Sequence, residues 1–228
     1  MTTRAPIAVA LDAPDLATAQ KWAAAVTPHV STLKVGLELF CRYGPESVLR
    51  TRGDTDVRLF LDLKLHDIPN TVAGAARAVS KLRPDYLTVH AGGGAAMIAA
   101  AAEALPDCMI AGVTLLTSMS DADTAAVGLG QHPLEVVTRL ASLAVASGAR
   151  ALVCSPREVA AVRAAVGPDV VLITPGVRPA GAASGDQARV STPQQALADG
   201  ADLLVVGRPI TGGDDPGAAA QAMAADLL

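Results

Sequence analysis

Eight hydrophobic, β-rich runs alternate with alanine-rich segments along the chain, and this alternation limits the fold more than any other feature. The runs are IAVALD (7–12), TLKVGL (32–37), VRLFLDLK (57–64), YLTVHA (86–91), MIAGVTLL (109–116), ALVCS (151–155), VVLITPG (170–176) and LLVVGRP (203–209). Over 228 residues they give about 28 residues per unit, the size of one strand followed by one helix. Strict alternation of strands and helices is typical of a parallel sheet.

The segments between the runs have helical spacing. After the third run, apolar residues at the i, i+3, i+4 and i+7 positions predict a helix over 70–82; they are Val72, Ala75, Ala76, Val79 and Leu82. Eight strand–helix units with no sign of a second domain favour a closed (β/α)8 TIM barrel, an α/β fold, over an open doubly wound sheet. We therefore expect a single TIM-barrel catalytic domain over 1–228.

Alternation within the runs predicts charged side chains at one end of this barrel. In IAVALD the Ile, Val and Leu share one face and Asp12 lies on the other; in VRLFLDLK the leucines share one face and Asp62 and Lys64 lie on the other. If the aliphatic face meets the helices, these three residues and Lys34 of the second run point into the barrel. Each lies near the carboxyl end of its strand, where barrel active sites are built.

The stretch FLDLKLHDIPNT (60–71) raises the question of why charges lie inside a hydrophobic strand. Lys34, Asp62, Lys64 and Asp67 are predicted to form an alternating network of cations and anions. The alternative is a set of structural ion pairs that seals the barrel end. Because buried ion pairs are weak stabilisers, stability alone is a poor reason to collect four charges there, and we favour a catalytic cluster.

A second group of candidate site residues lies at the ends of the last two predicted strands. TPGVR (174–178) ends the seventh run and GRPI (207–210) ends the eighth, and in barrels the loops after these strands often hold a phosphate. Arg208 can add a charge-assisted, bidentate contact. The Gly-, Ala- and Ser-rich segment PAGAASGDQARV (179–190) has the composition of a loop that closes over a ligand.

Composition excludes several other classes of protein. Net charge is −4 and aromatic residues make up 2%, so a nucleic-acid groove is not expected. The apolar stretch 91–105 is interrupted by Glu103 and followed by Pro106, and the N-terminal apolar stretch is too short for a signal peptide. We expect a soluble, cytoplasmic protein with no membrane partner.

Metal, disulfide and nucleotide motifs are also missing from the sequence. The three cysteines, Cys41, Cys108 and Cys154, form no CxxC pair and are expected to be reduced and mostly buried. No His/Glu/Asp spacing resembles a metal triad, and Gly92–Gly94 lacks the dinucleotide-binding fingerprint.

His90, at the end of the fourth run, fits either a site residue or a hydrogen-bonded structural histidine. Thr117 and Ser118 follow the fifth run, where hydroxyls could read a polar ring.

DLKLHDIPNT (62–71) closely resembles the signature of the orotidine 5′-phosphate decarboxylase family. The resemblance continues in chain order through almost the whole sequence, with no departure at the functional positions, and is to the compact, single-function bacterial form. The other segments that carry it are VALD (9–12), KVGLELFCRYGPE (34–46), TVHAGGG (88–94), VTLLTS (113–118), TPGVRP (174–179), GDQARV (185–190) and VVGRPI (205–210).

The resemblance implies decarboxylation of orotidine 5′-monophosphate to uridine 5′-monophosphate (UMP) in de novo pyrimidine biosynthesis. Lys64 is implied as the proton donor to C6 of the pyrimidine, and Asp62 as the residue facing the substrate carboxylate. Lys34 would position Asp62 and the ribose, and Asp12 would bind the ribose. Ile68 and Pro175 are further implied substrate-binding residues, and Thr117, together with Ser118, would recognise the base. Arg178, Gln187, Gly207 and Arg208 would hold the phosphate and the closing loop.

The resemblance also implies a homodimer with shared active sites and no metal or organic cofactor. Asp67 and Thr71 resemble residues that reach the site of the neighbouring subunit. Two alternatives stay open: a hexulose-phosphate synthase-like aldolase with a similar D-x-K-x-x-D strand, and a non-catalytic nucleotide-binding barrel. The Ile68–Thr71 continuation favours the decarboxylase over the first. The presence of both Asp62 and Lys64 argues against the second.

Overall fold

The computed structural model of the chain describes residues 4–129, 132–178 and 191–228. Its centre is a closed barrel of eight parallel strands in chain order, with the first strand hydrogen-bonded to the last. The predicted (β/α)8 barrel is confirmed, and each predicted run overlaps one strand. The strands are β1 (Ala5–Ala10), β2 (Val30–Gly36), β3 (Arg58–Leu65), β4 (Tyr86–His90), β5 (Met109–Val113), β6 (Ala151–Val153), β7 (Val171–Pro175) and β8 (Leu203–Val206).

Helices of the described residues surround the barrel. They are α1 (Leu16–Val26), α2 (Leu37–Tyr43), α3 (Pro45–Arg52), α4 (Pro69–Val79), α5 (Ala95–Ala104), α6 (Asp121–Ala126), α7 (Pro133–Ala146), α8 (Val159–Val166), α9 (Pro193–Ala198), α10 (Arg208–Thr211) and α11 (Pro216–Ala225), with 3₁₀ turns at Ser80–Leu82 and Ala91–Gly93. In this described part of the chain no helix is both long and apolar enough to cross a membrane.

The helix predicted over 70–82 is α4 followed by the first 3₁₀ turn. It begins one residue earlier than predicted, at Pro69, because a proline at the first helical position has no N–H to leave unsatisfied. Ala75 is only half-buried, and Ala73 is buried in its place. The buried face is therefore shifted slightly from the predicted one.

The core has two layers, as the alternation within the strands predicts. Ile7, Val9 and Leu11 pack outward against the helices, and so do the buried leucines of β3. A smaller cluster fills the barrel itself, where Phe60 and Tyr86 meet edge to face with ring centroids 5.9 Å apart. The other members of the inner cluster are mostly small, namely Ala8, Ala111, Val113, Ala151, Val153, Ile173 and Leu203.

Several strands end earlier than the hydrophobic runs predict. The fifth strand stops at Val113 although the run continues to 116, and β8 stops at Val206 because Arg208 already begins α10. The apolar residues beyond these ends belong to the loops at the carboxyl end of the barrel. These loops form the walls of the cavity.

Candidate active site

A cavity of about 430 Å³ opens at the carboxyl ends of the barrel strands. Its floor and walls include apolar residues from β3, β5, β6 and β8, among them Phe60, Val113, Val153 and Val205. Most of the site residues predicted from the sequence line this one cavity. They are Asp12, Lys34, Asp62, Lys64, Thr117, Pro175, Arg178, Gly207 and Arg208.

Four charged side chains at the cavity floor alternate in sign. The ammonium of Lys34 lies 3.3 Å from Oδ1 of Asp12 and 3.5 Å from Oδ2 of Asp62. The ammonium of Lys64 donates to both carboxylate oxygens of Asp62, at 2.8 and 2.9 Å. The network predicted from the sequence is therefore present, but within one chain Asp12 completes it where Asp67 was expected.

The side chains of this network differ in their exposure. Lys34 and Asp62 are nearly buried, with side-chain exposures of 7% and 13%, whereas Lys64 retains 29%. Lys64 is therefore the inner cation that remains partly open to the cavity. An ammonium held at a fixed point in a cleft of restricted water access can both attract an anion and give up a proton.

Burial would by itself raise the pKa of the Asp62 carboxyl group. The ammonium groups of Lys34 and Lys64, and hydrogen bonds from Lys64 and Thr88, outweigh burial and lower this pKa below its ordinary value. The carboxylate is therefore ionised at neutral pH. A second anion placed beside it, such as a substrate carboxylate, would meet a full negative charge.

The third strand is irregular where it carries the catalytic candidates. Leu61 pairs with Leu87 and Leu65 pairs with Val89, so residues 62–64 lie opposite a single residue of β4. Lys64 has a left-handed backbone with φ of 48°, which is unfavourable for a lysine. Such strain is retained where the surrounding contacts enforce it, and it occurs often at functional sites.

Two residues that sequence reasoning did not assign support the network. Thr88 of β4 is fully buried, and its hydroxyl donates to Oδ1 of Asp62 at 3.0 Å and accepts from the backbone N of Lys64 at 2.8 Å. At Gly36, a Cβ atom would lie 2.8 Å from both Asp12 Oδ1 and Lys34 Nζ. Glycine therefore leaves room for the Asp12–Lys34 pair. Thr88 lies in the segment TVHAGGG (88–94) and Gly36 in KVGLE (34–38). The spacing of residues in these segments does not distinguish either one as a site residue.

The opposite wall of the cavity carries two arginines. Arg178 follows β7, and Arg208 begins α10 directly after Gly207. Arg208 is exposed, and Arg178 is half-buried and anchored by its backbone N–H to the carbonyl of Ser191 at 2.9 Å. The loops after β7 and β8 thus bring two cations to one side of the cavity, as the sequence predicts for a phosphate site.

Four other predicted residues do not line the cavity. Asp67, Ile68 and Thr71 lie exposed beyond the end of β3, and Ile68 exposes 65% of its surface. The Asp67 carboxylate accepts a hydrogen bond from the backbone N of Ile68 at 2.6 Å. Ser118 is also exposed, whereas its neighbour Thr117 reaches the cavity. Gln187 and the predicted closing loop 179–190 lie outside the described residues.

His90 ends β4 next to the network. Its ring lies 5.3 Å from that of His66 between centroids, at an angle of 36°. Burial lowers the pKa of His90, and the neighbouring His66 and Lys64 lower it further. His90 is therefore neutral at neutral pH, and it is not one of the residues that line the cavity.

None of the three cysteines lines the cavity. Cys108 and Cys154 are buried, and burial raises the pKa of each thiol to about 12. Cys41 is exposed, so two of the three free thiols are buried, as the sequence predicts. Among residues 4–129, 132–178 and 191–228, no three His, Cys, Asp or Glu side chains are grouped so that they could hold a metal ion.

Comparison with known proteins identifies the family. The model of the "Orotidine 5′-phosphate decarboxylase / HUMPS family" matches residues 5–223, nearly the entire chain. The chain belongs to this family. The family description joins the decarboxylase to a second group, so individual relatives are needed to separate the two.

Relatives of this decarboxylase family cover almost the whole chain. An orotidine 5′-phosphate decarboxylase of Thermobifida fusca is 69% identical over 223 residues, which are 98% of this chain and 96% of the relative. One of Frankia casuarinae is 58% identical, covering 98% of this chain and 88% of the relative. The crystal structure of the Lactobacillus acidophilus orotidine 5′-phosphate decarboxylase superimposes with a TM-score of 0.84 at 36% identity, covering 98% of this chain and 99% of that one.

Proposed function

We propose that the chain decarboxylates orotidine 5′-monophosphate to UMP in pyrimidine biosynthesis, acting as a cytoplasmic carboxy-lyase. The observation that carries this proposal is the Lys64 ammonium, held by both oxygens of Asp62 at the floor of a cavity whose far wall carries Arg178 and Arg208. The names of the relatives support the same reaction. The aldolase alternative has no comparable support among these relatives.

Lys64 would supply the central chemical step. Loss of CO₂ from C6 breaks the carbon–carbon bond and leaves its electron pair on an sp² carbon with no adjacent electron sink. A fixed ammonium beside C6 stabilises this developing charge and then donates one proton to it, which gives the C–H bond of the product and a neutral amine. Proton exchange with solvent then restores the ammonium.

Asp62 and Lys34 would prepare the site for this step. The ionised Asp62 carboxylate lies beside the substrate carboxylate in the proposed complex, and their repulsion is relieved when neutral CO₂ departs. Lys34 contacts both Asp12 and Asp62, so it would hold the ribose-binding carboxylate and the inner carboxylate in fixed relative positions. Thr117 lies at the same cavity and would recognise the pyrimidine ring.

The two arginines would bind the substrate phosphate, far from C6. The required barrier reduction is near the top of the range for enzymes, about 20 kcal/mol or more, and one lysine supplies only part of it. Binding energy from a remote group can be used to exclude water and align the reacting carbon. Gly207, which lines the same wall and has no side chain, would let the backbone approach the phosphate.

The direct test is spectrophotometric. Purified protein should consume orotidine 5′-phosphate without added metal, and the activity should survive a chelator. No consumption, together with tight binding of UMP, would instead support the non-catalytic nucleotide-binding barrel. Consumption of orotidine 5′-phosphate that is lost on chelation and returns with a divalent cation would contradict a metal-independent site.

Removal of the phosphate contact should affect catalysis as well as binding. We expect Arg208→Ala to raise KM and to lower kcat/KM by about 3 kcal/mol of transition-state stabilisation, because a charge-assisted contact to the remote phosphate is lost. Steady-state kinetics on orotidine 5′-phosphate measures both effects. Added phosphite should partly restore turnover of a substrate that lacks the phosphate.

Arg139→Ala is the matched control, because Arg139 is exposed on α7 and does not line the cavity. It should leave both kinetic constants at parental values. An Arg208→Ala variant as active as the parent would place the phosphate elsewhere.

We further propose that the active unit is a homodimer with shared sites. Asp67, Ile68 and Thr71 lie together at the rim of the barrel mouth, outside their own cavity and exposed. A large exposed aliphatic side chain next to a carboxylate and a hydroxyl suits a surface that is covered on association. A twofold axis at this rim would bring each Asp67 to the cavity of the neighbouring subunit.

A further inference from the structure

The buried hydroxyl of Thr88 connects the side chain of Asp62 to the main chain of Lys64. It donates to Oδ1 of Asp62 at 3.0 Å and accepts the backbone N–H of Lys64 at 2.8 Å. A threonine hydroxyl has a single hydrogen to donate. Because the Lys64 N–H is itself a donor, the Thr88 hydrogen must point to Asp62, and the orientation of the hydroxyl is fixed.

The irregular pairing of β3 with β4 explains why a side chain is needed here. Residues 62–64 lie opposite Thr88 alone, since Leu61 pairs with Leu87 and Leu65 with Val89. The N–H of Lys64 therefore uses the Thr88 side chain as its acceptor in place of a carbonyl of the neighbouring strand. This contact supports the left-handed backbone of Lys64, whose φ is 48°.

The same hydroxyl acts on the carboxylate that aims the Lys64 ammonium. Oδ1 of Asp62 accepts from Thr88 at 3.0 Å and from Lys64 Nζ at 2.8 Å, while Oδ2 accepts from Lys64 Nζ at 2.9 Å. Rotation of the carboxylate would break the Thr88 bond and carry the ammonium with it. Thr88 itself is fully buried and does not line the cavity, so it acts through these two residues.

We propose that Thr88 is a positioning residue for the decarboxylation, which holds the Lys64 ammonium and the Asp62 carboxylate at the point where the reacting carbon binds. This inference rests on the proposed function. We expect loss of the Thr88 hydroxyl to lower kcat and to change substrate binding little, because the proposed phosphate-binding residues, Arg178 and Arg208, follow β7 and β8. A displacement of about 1 Å of a catalytic group can reduce a rate about 100-fold.

The test compares Thr88→Val, which keeps the shape and removes the hydroxyl, with Thr88→Ser, which keeps the hydroxyl. We expect Thr88→Val to lower kcat on orotidine 5′-phosphate by about 10- to 100-fold, with KM changed by less than about threefold. Thr88→Ser should recover kcat to within about threefold of the parent. If Thr88→Val does not fold, Thr88→Cys, whose thiol is a weaker donor and acceptor, gives the same comparison with Thr88→Ser.

Thr32→Val is the matched control, since Thr32 is also fully buried on a barrel strand, and among the described residues its hydroxyl hydrogen-bonds to that of Ser31 and not to the charged network. Its kinetic constants should be parental. Parental kcat in Thr88→Val, an equal loss in Thr32→Val, a rise of KM alone, or no recovery in Thr88→Ser would each overturn the assignment. None of these outcomes touches the proposed function, which fails only if the parent protein does not consume orotidine 5′-phosphate.

Discussion

The Lys64→Ala variant is expected to lose decarboxylation by about 10⁴-fold or more, because one ammonium supplies both the stabilisation of the carbanion and the proton that quenches it. Binding of UMP should be largely kept, since Arg178 and Arg208 lie on the opposite wall of the cavity. Turnover of orotidine 5′-phosphate is followed spectrophotometrically, and UMP binding is followed by calorimetry.

The Lys64→Ala variant separates the effect of the ammonium from the effect of the backbone conformation. Lysine and alanine both carry a Cβ atom, so the left-handed conformation at position 64 is about equally unfavourable for both. Lys21→Ala, which removes an exposed lysine from α1, is the matched control and should behave as the parent. A Lys64→Ala enzyme that kept turnover within about tenfold of the parent would show that Lys64 is not the proton donor.

The barrel could be predicted because its signal is repeated eight times along the chain. Alternation along a strand separates a face that packs on the helices from a face that points into the barrel, and Ile7, Val9 and Leu11 do pack outward while Ala8 fills the interior. An error of one or two residues at a strand end does not change that pattern. Strand ends were the weaker part of the prediction, because apolar residues such as Leu115 continue past the last paired residue to line the cavity.

The charged floor of the site could be predicted for the same reason. Asp12, Lys34 and Asp62 stand near the carboxyl ends of consecutive strands, and side chains at that end of a parallel barrel converge. What the sequence could not show is the distortion that places Lys64. A period of two treats 62 and 64 as equivalent positions on a regular strand, whereas the structure has an irregular register there and a left-handed lysine.

The role of Thr88 could not be predicted from the sequence because it depends on this distortion of β3. A threonine in a strand is ordinary, since β-branched residues are common in sheets. Only the register between β3 and β4 reveals that its hydroxyl replaces a backbone acceptor. Contacts that arise from a local irregularity cannot be read from hydrophobic periodicity, which assumes regular pairing.

Asp67 marks a different limit of sequence reasoning. The spacing D-x-K-x-x-D joined Asp67 to the network, but in one chain the carboxylate is exposed and bonds only to the backbone of Ile68 among the described residues. A strand that ends at Leu65 no longer constrains where residue 67 points. Asp67 has two possible roles. Its carboxylate either acts within its own subunit or completes the active site of the neighbouring subunit.

Complementation between two inactive variants distinguishes these two roles of Asp67. Lys64→Ala subunits are mixed in equal amounts with Asp67→Ala subunits, each of which is expected to be inactive alone, and subunit exchange is allowed. In a heterodimer with shared sites, one site carries both changes and the other carries neither. The second site has Lys64 from one chain and Asp67 from its partner, so it should be fully active.

The expected recovery follows from random exchange. About half of the dimers become heterodimers, and half of their sites are intact, so the mixture should reach about one quarter of the parental activity per total site. Exchange is verified by separating differently tagged subunits, and Lys21→Ala mixed with Lys64→Ala serves as the reference for simple dilution at about one half. If exchange is complete and the activity stays at the level of the separate variants, Asp67 acts within its own subunit. The exposed position of Asp67, two residues past the end of β3 and next to the exposed Ile68, is the reason we expect the recovery.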